Sequence, residues 1–174
     1  MILSKANLAV LVAATCLSAK ASAMPLGSDA DACVSGRGPA VQATIIGLKD
    51  RSGRLNLELY PANEADFLKD DGDLVREGKV FRRVQLATPA SGAVVMCIKV
   101  PSPGRYALLF THDRDGRNQF NIWRDGAGFP SNVNLGRSRP KVSQATVDVG
   151  SSVVIMTIQA QYLRGLSGFG PAHR

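Results

Sequence analysis

Leu55, Leu57 and Leu59 alternate with Asn56, Glu58 and Tyr60. A period of two sends one set of side chains to one face, so this stretch is a strand with a buried face. Similar segments recur at 40–48, 80–87, 92–100, 105–111, 144–149 and 152–162. Between them lie turn-forming stretches such as Lys49-Asp50-Arg51-Ser52-Gly53 and Pro101-Ser102-Pro103-Gly104. Gly150-Ser151 reads as a short hairpin joining the last two strands. Residues 61–72 are irregular, with one helical turn at 64–68 pinned by Phe67 and Leu68. Seven strands without a long helix predict an all-β, antiparallel β-sandwich of two sheets. The high count of glycine (17) and proline (9) agrees with a fold rich in turns. Tyr106, just after the Pro-Gly turn, stands where a tyrosine corner would tie its hydroxyl to nearby backbone, or where an ordinary half-buried tyrosine would sit.

Residues 1–23 have a different character. Lys5 is followed by a short apolar run, 8–17, and by Ala21-Ser22-Ala23, the small residues of a cleavage site. This pattern predicts a cleaved signal peptide and an exported protein, periplasmic or secreted. The run is shorter than the ~18–20 residues a membrane span needs, so no transmembrane segment is expected. Residues 24–39 read as an extended leader, 40–163 as the sandwich and 164–174 as a Gly-rich, flexible tail. Without Lys5 and Lys20 the chain keeps 19 Lys and Arg against 14 Asp and Glu. These charges are scattered, apart from small clusters at Arg76/Lys79/Arg82/Arg83 and Arg137/Arg139/Lys141. They form no basic stripe with interleaved aromatics, which argues against a nucleic-acid partner. Two cysteines remain, Cys33 and Cys97. In an exported chain an even pair suggests a disulfide stapling the N-terminal segment to the strand carrying Cys97; two buried free thiols are the alternative.

The order of motifs is Cys33, IIGLKDRSGRLNLELYPANEADFL, Cys97, PSPGRYALLFTHDRDG, DGAGF and VGSSVVIMTIQAQY. Together they resemble the bacterial domain-of-unknown-function family 2141, in particular exported, cysteine-bearing members of sphingomonad type. The resemblance covers roughly residues 33–166. It implies a transthyretin-like, or prealbumin-like, β-sandwich and brings no activity with it.

In that family the loop after the PGxYA strand resembles D-x-N-x-N-G-x-x-D, a spacing of oxygen donors that suits Ca²⁺. Here Asp113 and Asp115 match, with Asn118 and Asn121 as further donors. Arg117 stands where an oxygen is expected, and the twelfth position from Asp113 is Arg124 rather than the Glu of an EF-hand. The residues therefore favour a hydrogen-bonded loop without a cofactor, in which Asp and Asn cap their own turns and Arg114 or Arg117 pairs with Asp113 or Asp115. Calcium is the alternative.

Only His112 and His173 are present. His173 reads as a solvated spectator in the tail. His112 shares a strand face with Tyr106, Leu108 and Phe110, while Asp113 points to the other face, so the two do not form a base–orienter pair. No G-x-S-x-G elbow or H-E-x-x-H occurs, and Asp70, Asp71 and Asp73 read as solvated turn residues. The stretch 112–139 is the strongest site candidate, because a loop of that length is commonly functional. Within it Trp123 and Phe129 flank Asp125-Gly126-Ala127-Gly128. They read either as stacking surfaces for a partner or as anchors buried against the sheet. The expectation is a non-catalytic module of the cell envelope that binds a protein, peptide or glycan through this loop, with His112, Trp123, Asp125 and Phe129 as contacts. The alternatives are a calcium loop and a cryptic hydrolase using His112.

Overall fold

A computed structural model describes residues 23–36 and 38–172. The segment expected to be a signal peptide, apart from its last residue, and His173 lie outside the described residues.

The alternating segments form two sheets packed face to face. The smaller has the order β4 (Val94–Lys99), β1 (Ala40–Ile46), β8 (Val153–Gln159). The larger runs β10 (Phe169–Pro171), β9 (Gln161–Leu163), β6 (Gly126–Gly128), β5 (Gly104–Asp113), β2 (Arg54–Pro61), β3 (Arg82–Ala87). β7 (Thr146–Val149) lies beside β6 on the same edge of β5, pairing with its first four residues. Between the sheets lies an aliphatic core built from alternate positions. Leu55, Leu57 and Leu59 of β2, Leu108 and Phe110 of β5, Val41 and Ala43 of β1 and Met96 and Ile98 of β4 all meet there. Among the described residues no helix is long and apolar enough to cross a membrane.

The sandwich is all-β as expected, with several corrections. It has ten short strands rather than seven among the described residues, and β1 and β8 run parallel. The segment 152–162 is not one strand. β8 belongs to the smaller sheet, and after buried Ala160 the chain crosses to the larger sheet as β9. Val154, Met156, Ile158, Ala160 and Tyr162 still contribute to one core, which is why the alternation looked continuous. Gly150-Ser151 is not a hairpin, because β7 and β8 lie in different sheets. The alternation at 144–149 is broken by a short helix, α3 (Val142–Ala145), before β7 begins.

The leader is not extended throughout. It makes a short helix, α1 (Ala30–Val34), and Leu26 bridges to β4. Cys33 on α1 is joined to Cys97 on β4, with 6.0 Å between Cα atoms. Nearby, Asp29 accepts from the Lys99 N–H and from Arg82, both at 2.8 Å. Burial works to raise its pKa, but these partners hold the carboxyl below its ordinary value. Asp70, Asp71 and Asp73 are not plain turn residues. Asp70 caps α2 (Asp71–Arg76) through the Gly72 and Asp73 N–H groups, and Asp71 and Asp73 sit in its acidic first turn. The tail has regular structure among its described residues. It folds into a 3-10 turn, Gly165–Ser167, and strand β10.

A second apolar cluster covers the far side of the larger sheet. Tyr60, Leu109, Ala127 and Phe129 there pack against Phe67 and Leu74. The larger sheet is therefore buried on both faces, by the smaller sheet on one side and by irregular chain on the other.

Candidate functional site

The long loop emerges from β5, and two carboxylates fold it. Asp113 Oδ1 accepts from the Gly116 N–H and Oδ2 from the Asn118 N–H, both at 2.8 Å. Asp125 collects the Arg114 N–H at 2.9 Å and the Asn121 N–H at 2.7 Å. Asn121 Oδ1 accepts from the Trp123 N–H at 3.0 Å. Asp115 caps Arg117 N and lies 3.7 Å from both the Arg117 and Arg124 guanidinium groups. Gln85 donates to Asn118 Oδ1 at 3.1 Å. The four calcium candidates are thus oriented toward N–H donors and cations. A cation would share Asp113 with two backbone donors and sit beside two guanidinium groups at Asp115, and that positive charge makes the donor set a poor fit for a metal. Arg114 is a correction: it pairs with Asp50 across the turn after β1, not with Asp113 or Asp115. Burial works to raise the Asp50 pKa, but hydrogen bonds from Arg114 and Ser52 hold its carboxyl well below the ordinary range.

His112 is fully buried beneath this loop. Nε2 lies 2.8 Å from the Ser52 carbonyl and Nδ1 2.7 Å from the Tyr162 hydroxyl. A carbonyl only accepts, so Nε2 carries the proton, and Tyr162 donates to Nδ1. The Tyr162 oxygen accepts in turn from the Lys49 N–H at 3.1 Å. Burial lowers the His112 pKa and pushes the Tyr162 hydroxyl up to about 12. This arrangement depends on Gly126, where a Cβ would run into the Tyr162 ring. His112 therefore ties three segments together as a neutral imidazole. It is not an exposed partner contact, and it lines neither of the two clefts described below.

Phe129 and Asp125 are buried as well, but unlike His112 both border the second cleft described below. Phe129 is only 2% exposed and meets the Phe67 ring edge-on at 5.9 Å, so it is the buried anchor of the loop. Asp125 is buried as the loop's knot. Trp123 is 81% exposed. With Phe120 and Ile122, also exposed, it forms one wall of an apolar cleft of about 550 Å³. Leu163, Leu166 and Phe169 from the C-terminal turn form another, and Arg137 and Arg139 lie along it.

An adjoining cleft of about 380 Å³ shares Phe120, Ala127 and Pro140 with the first. Its floor is polar and comes from the outward residues of the larger sheet. Glu58 accepts from Tyr60 Oη at 2.7 Å and from Arg83 Nε at 2.6 Å, and Asn56 donates to Thr111 at 3.1 Å. Burial and the Glu58 charge drive the Tyr60 hydroxyl well above its ordinary pKa. Neither Glu58 nor the C-terminal wall was legible as part of a site. The one available signal was Glu58 standing at mid-strand, on the face that an isolated strand would turn to water.

A family model described as "Uncharacterized protein conserved in bacteria (DUF2141)" matches residues 43–157. No curated protein and no solved structure matches the chain.

Proposed function

The chain belongs to the DUF2141 family, and from that premise we propose an exported, non-catalytic binding module of the cell envelope, periplasmic or secreted. Its sandwich is transthyretin-like, and its ligand is an apolar segment of a partner polypeptide flanked by acidic residues. The observation that carries this reading is the cleft beside Trp123. Three large apolar side chains of one loop stand exposed and face a second apolar wall, an arrangement typical of interaction sites. Arg137 and Arg139 give the cleft a positive side, which complements an acidic flank. The loop that presents Trp123 is held by its own carboxylates, so little ordering is needed on binding. The buried, doubly bonded His112 supports the non-catalytic part of the reading.

Trp123 is the single tryptophan of the chain, so its fluorescence reports the cleft directly. The purified protein is titrated with apolar peptides carrying acidic or basic flanks, and with neutral oligosaccharides. The expected result is a saturable blue shift with acidic-flanked peptides, weakened by salt and lost in Leu166→Ala. A response to oligosaccharides alone would move the reading to a glycan partner. Silence toward both classes would overturn it.

A further inference from the structure

A strand at the edge of a sheet exposes unpaired N–H and C=O groups, and proteins usually blunt such edges. Four edges of this sandwich are blunted. On β4, Leu26 N–H donates to Val95 O at 2.7 Å and Cys97 N–H to Leu26 O at 3.3 Å. The next outward donor, Lys99 N–H, is taken by Asp29. On β10, Gly136 and Phe169 exchange both backbone bonds. β3 carries Arg82 and Arg83, and the leader passes so close that a Cβ on Gly27 would run into Val84. β7 is four residues long and carries the Arg105–Asp148 ion pair.

β8 is different. From Gly150 to Leu163 the chain has no charged residue, and among the described residues the edge of β8 left without a strand partner is Val153-Val154-Ile155-Met156-Thr157. Two observations fix which backbone groups face outward. Ala160 N–H donates to Ile46 O on β1, so even-numbered residues turn toward β1. Asn132, at φ 54°, donates to Thr157 O at 2.8 Å and accepts from the Gln159 N–H at 2.7 Å, so odd-numbered residues turn away. Asn132 closes the edge at Gln159. The stretch left for pairing is 153–157, centred on Ile155, whose side chain is 70% exposed.

We propose that this edge pairs with the β8 edge of a second copy of this chain, antiparallel about a two-fold axis at Ile155. The stretch 153–157 is centred on Ile155, so such a copy spans its whole length. Ile155 exchanges both bonds with its equivalent, and on either side the Thr157 N–H donates to Val153 O of the second copy, since Asn132 holds the Thr157 carbonyl. Ile155 then faces Ile155 and Val153 faces Thr157, all β-branched, while Val154 faces Met156, and no like charges meet across the axis. The two three-stranded sheets merge into one of six strands. Because the contact is isologous it consumes the edge and stops at a dimer. No β8 residue lines the Trp123 cleft, so both clefts stay accessible.

The test is the mass of the purified protein across a concentration series by sedimentation, together with amide exchange on β8. The dimer is expected, with the Ile155 N–H protected only at dimer-forming concentrations. Ile155→Lys and Ile155→Glu each give a monomer with the melting point of the unpaired protein, since the site is exposed. Mixing the two variants restores a dimer by placing opposite charges across the axis. A wild-type protein that stays monomeric up to its solubility limit overturns the proposal. So does a dimer that Ile155→Lys leaves intact, or β8 protection that appears only with a foreign peptide.

Discussion

The two faces of the larger sheet are made by the same strands and do different work. On the inner face Leu55, Leu57, Leu59, Leu108 and Phe110 are uniformly apolar and fully buried against the smaller sheet. On the outer face the alternate residues, Asn56, Glu58, Tyr60 and Thr111, are polar or amphipathic. They are buried as well, but under irregular chain that leaves two clefts. The inner face holds the fold by close packing. The outer face holds a cover in place by specific hydrogen bonds, and the imperfect fit of that cover creates the room for a ligand.

This contrast can be broken in a graded way. Leu57→Ala strikes the inner face, where a cavity cannot be refilled from solvent. It should cost about 2–5 kcal/mol, read as a loss in the denaturant midpoint without a change in slope. The Cys33→Ser/Cys97→Ser pair tests the staple from the leader to the smaller sheet. Opening a loop with 64 residues of separation should cost about 4 kcal/mol in the chain-entropy picture. A loss confined to the leader, with an unchanged global melting point, would refute that estimate.

On the outer face, Glu58→Ala strands the Arg83 and Tyr60 donors. Arg83 keeps partial access to water, so the cost should be smaller, about 1–3 kcal/mol. Glu58→Ala should recover part of its loss when combined with Arg83→Met, whereas additive losses would mean the two side chains act independently.

His112 sharpens the comparison through pH. Its pKa is lowered in the folded protein from the ordinary 6.5. The unfolded chain therefore takes up a proton that the folded chain resists. Stability from this group is complete above about pH 6.5 and falls as pH drops below it toward the folded value. The slope is at most about 1.4 kcal/mol per pH unit for one proton. His112→Gln should remove this slope between pH 6.5 and the carboxylate range. An unchanged profile would place the proton uptake elsewhere. The smallest effect on folding is expected at Trp123→Ala, within about 0.5 kcal/mol, because an exposed side chain on a self-bonded loop adds little to the fold.

The alternation of leucines around Leu57, the PSPG turn and the β-branched runs made the sandwich readable from local sequence alone. Period two and turn chemistry are properties of neighbouring residues. Tyr106 is a further case, since its hydroxyl donates to Ser102 O only four residues away, at 2.9 Å. The pairing of Cys33 with Cys97 was inferred from count and compartment, and the structure joins them. The candidate site was legible only where it is local. Asp113 and Asp115 could be read as capping their own loop, and Trp123 as an aromatic carried on it.

The sequence by itself determined the main strands, the PSPG turn and the Asp113 and Asp115 caps of the loop, because each depends on contacts a few residues apart. Tertiary structure alone decided that 152–162 divides between two sheets, since unbroken alternation suits either sheet equally. It also decided that Phe129 turns inward while Trp123 turns out. Both are apolar residues on one loop, and only the position of Phe67, far away in the chain, supplies a place to bury one of them. The second wall of the cleft, from Leu166 and Phe169, and the buried polar floor at Glu58 belong to the same class. They arise where distant segments meet, and no local pattern records that meeting.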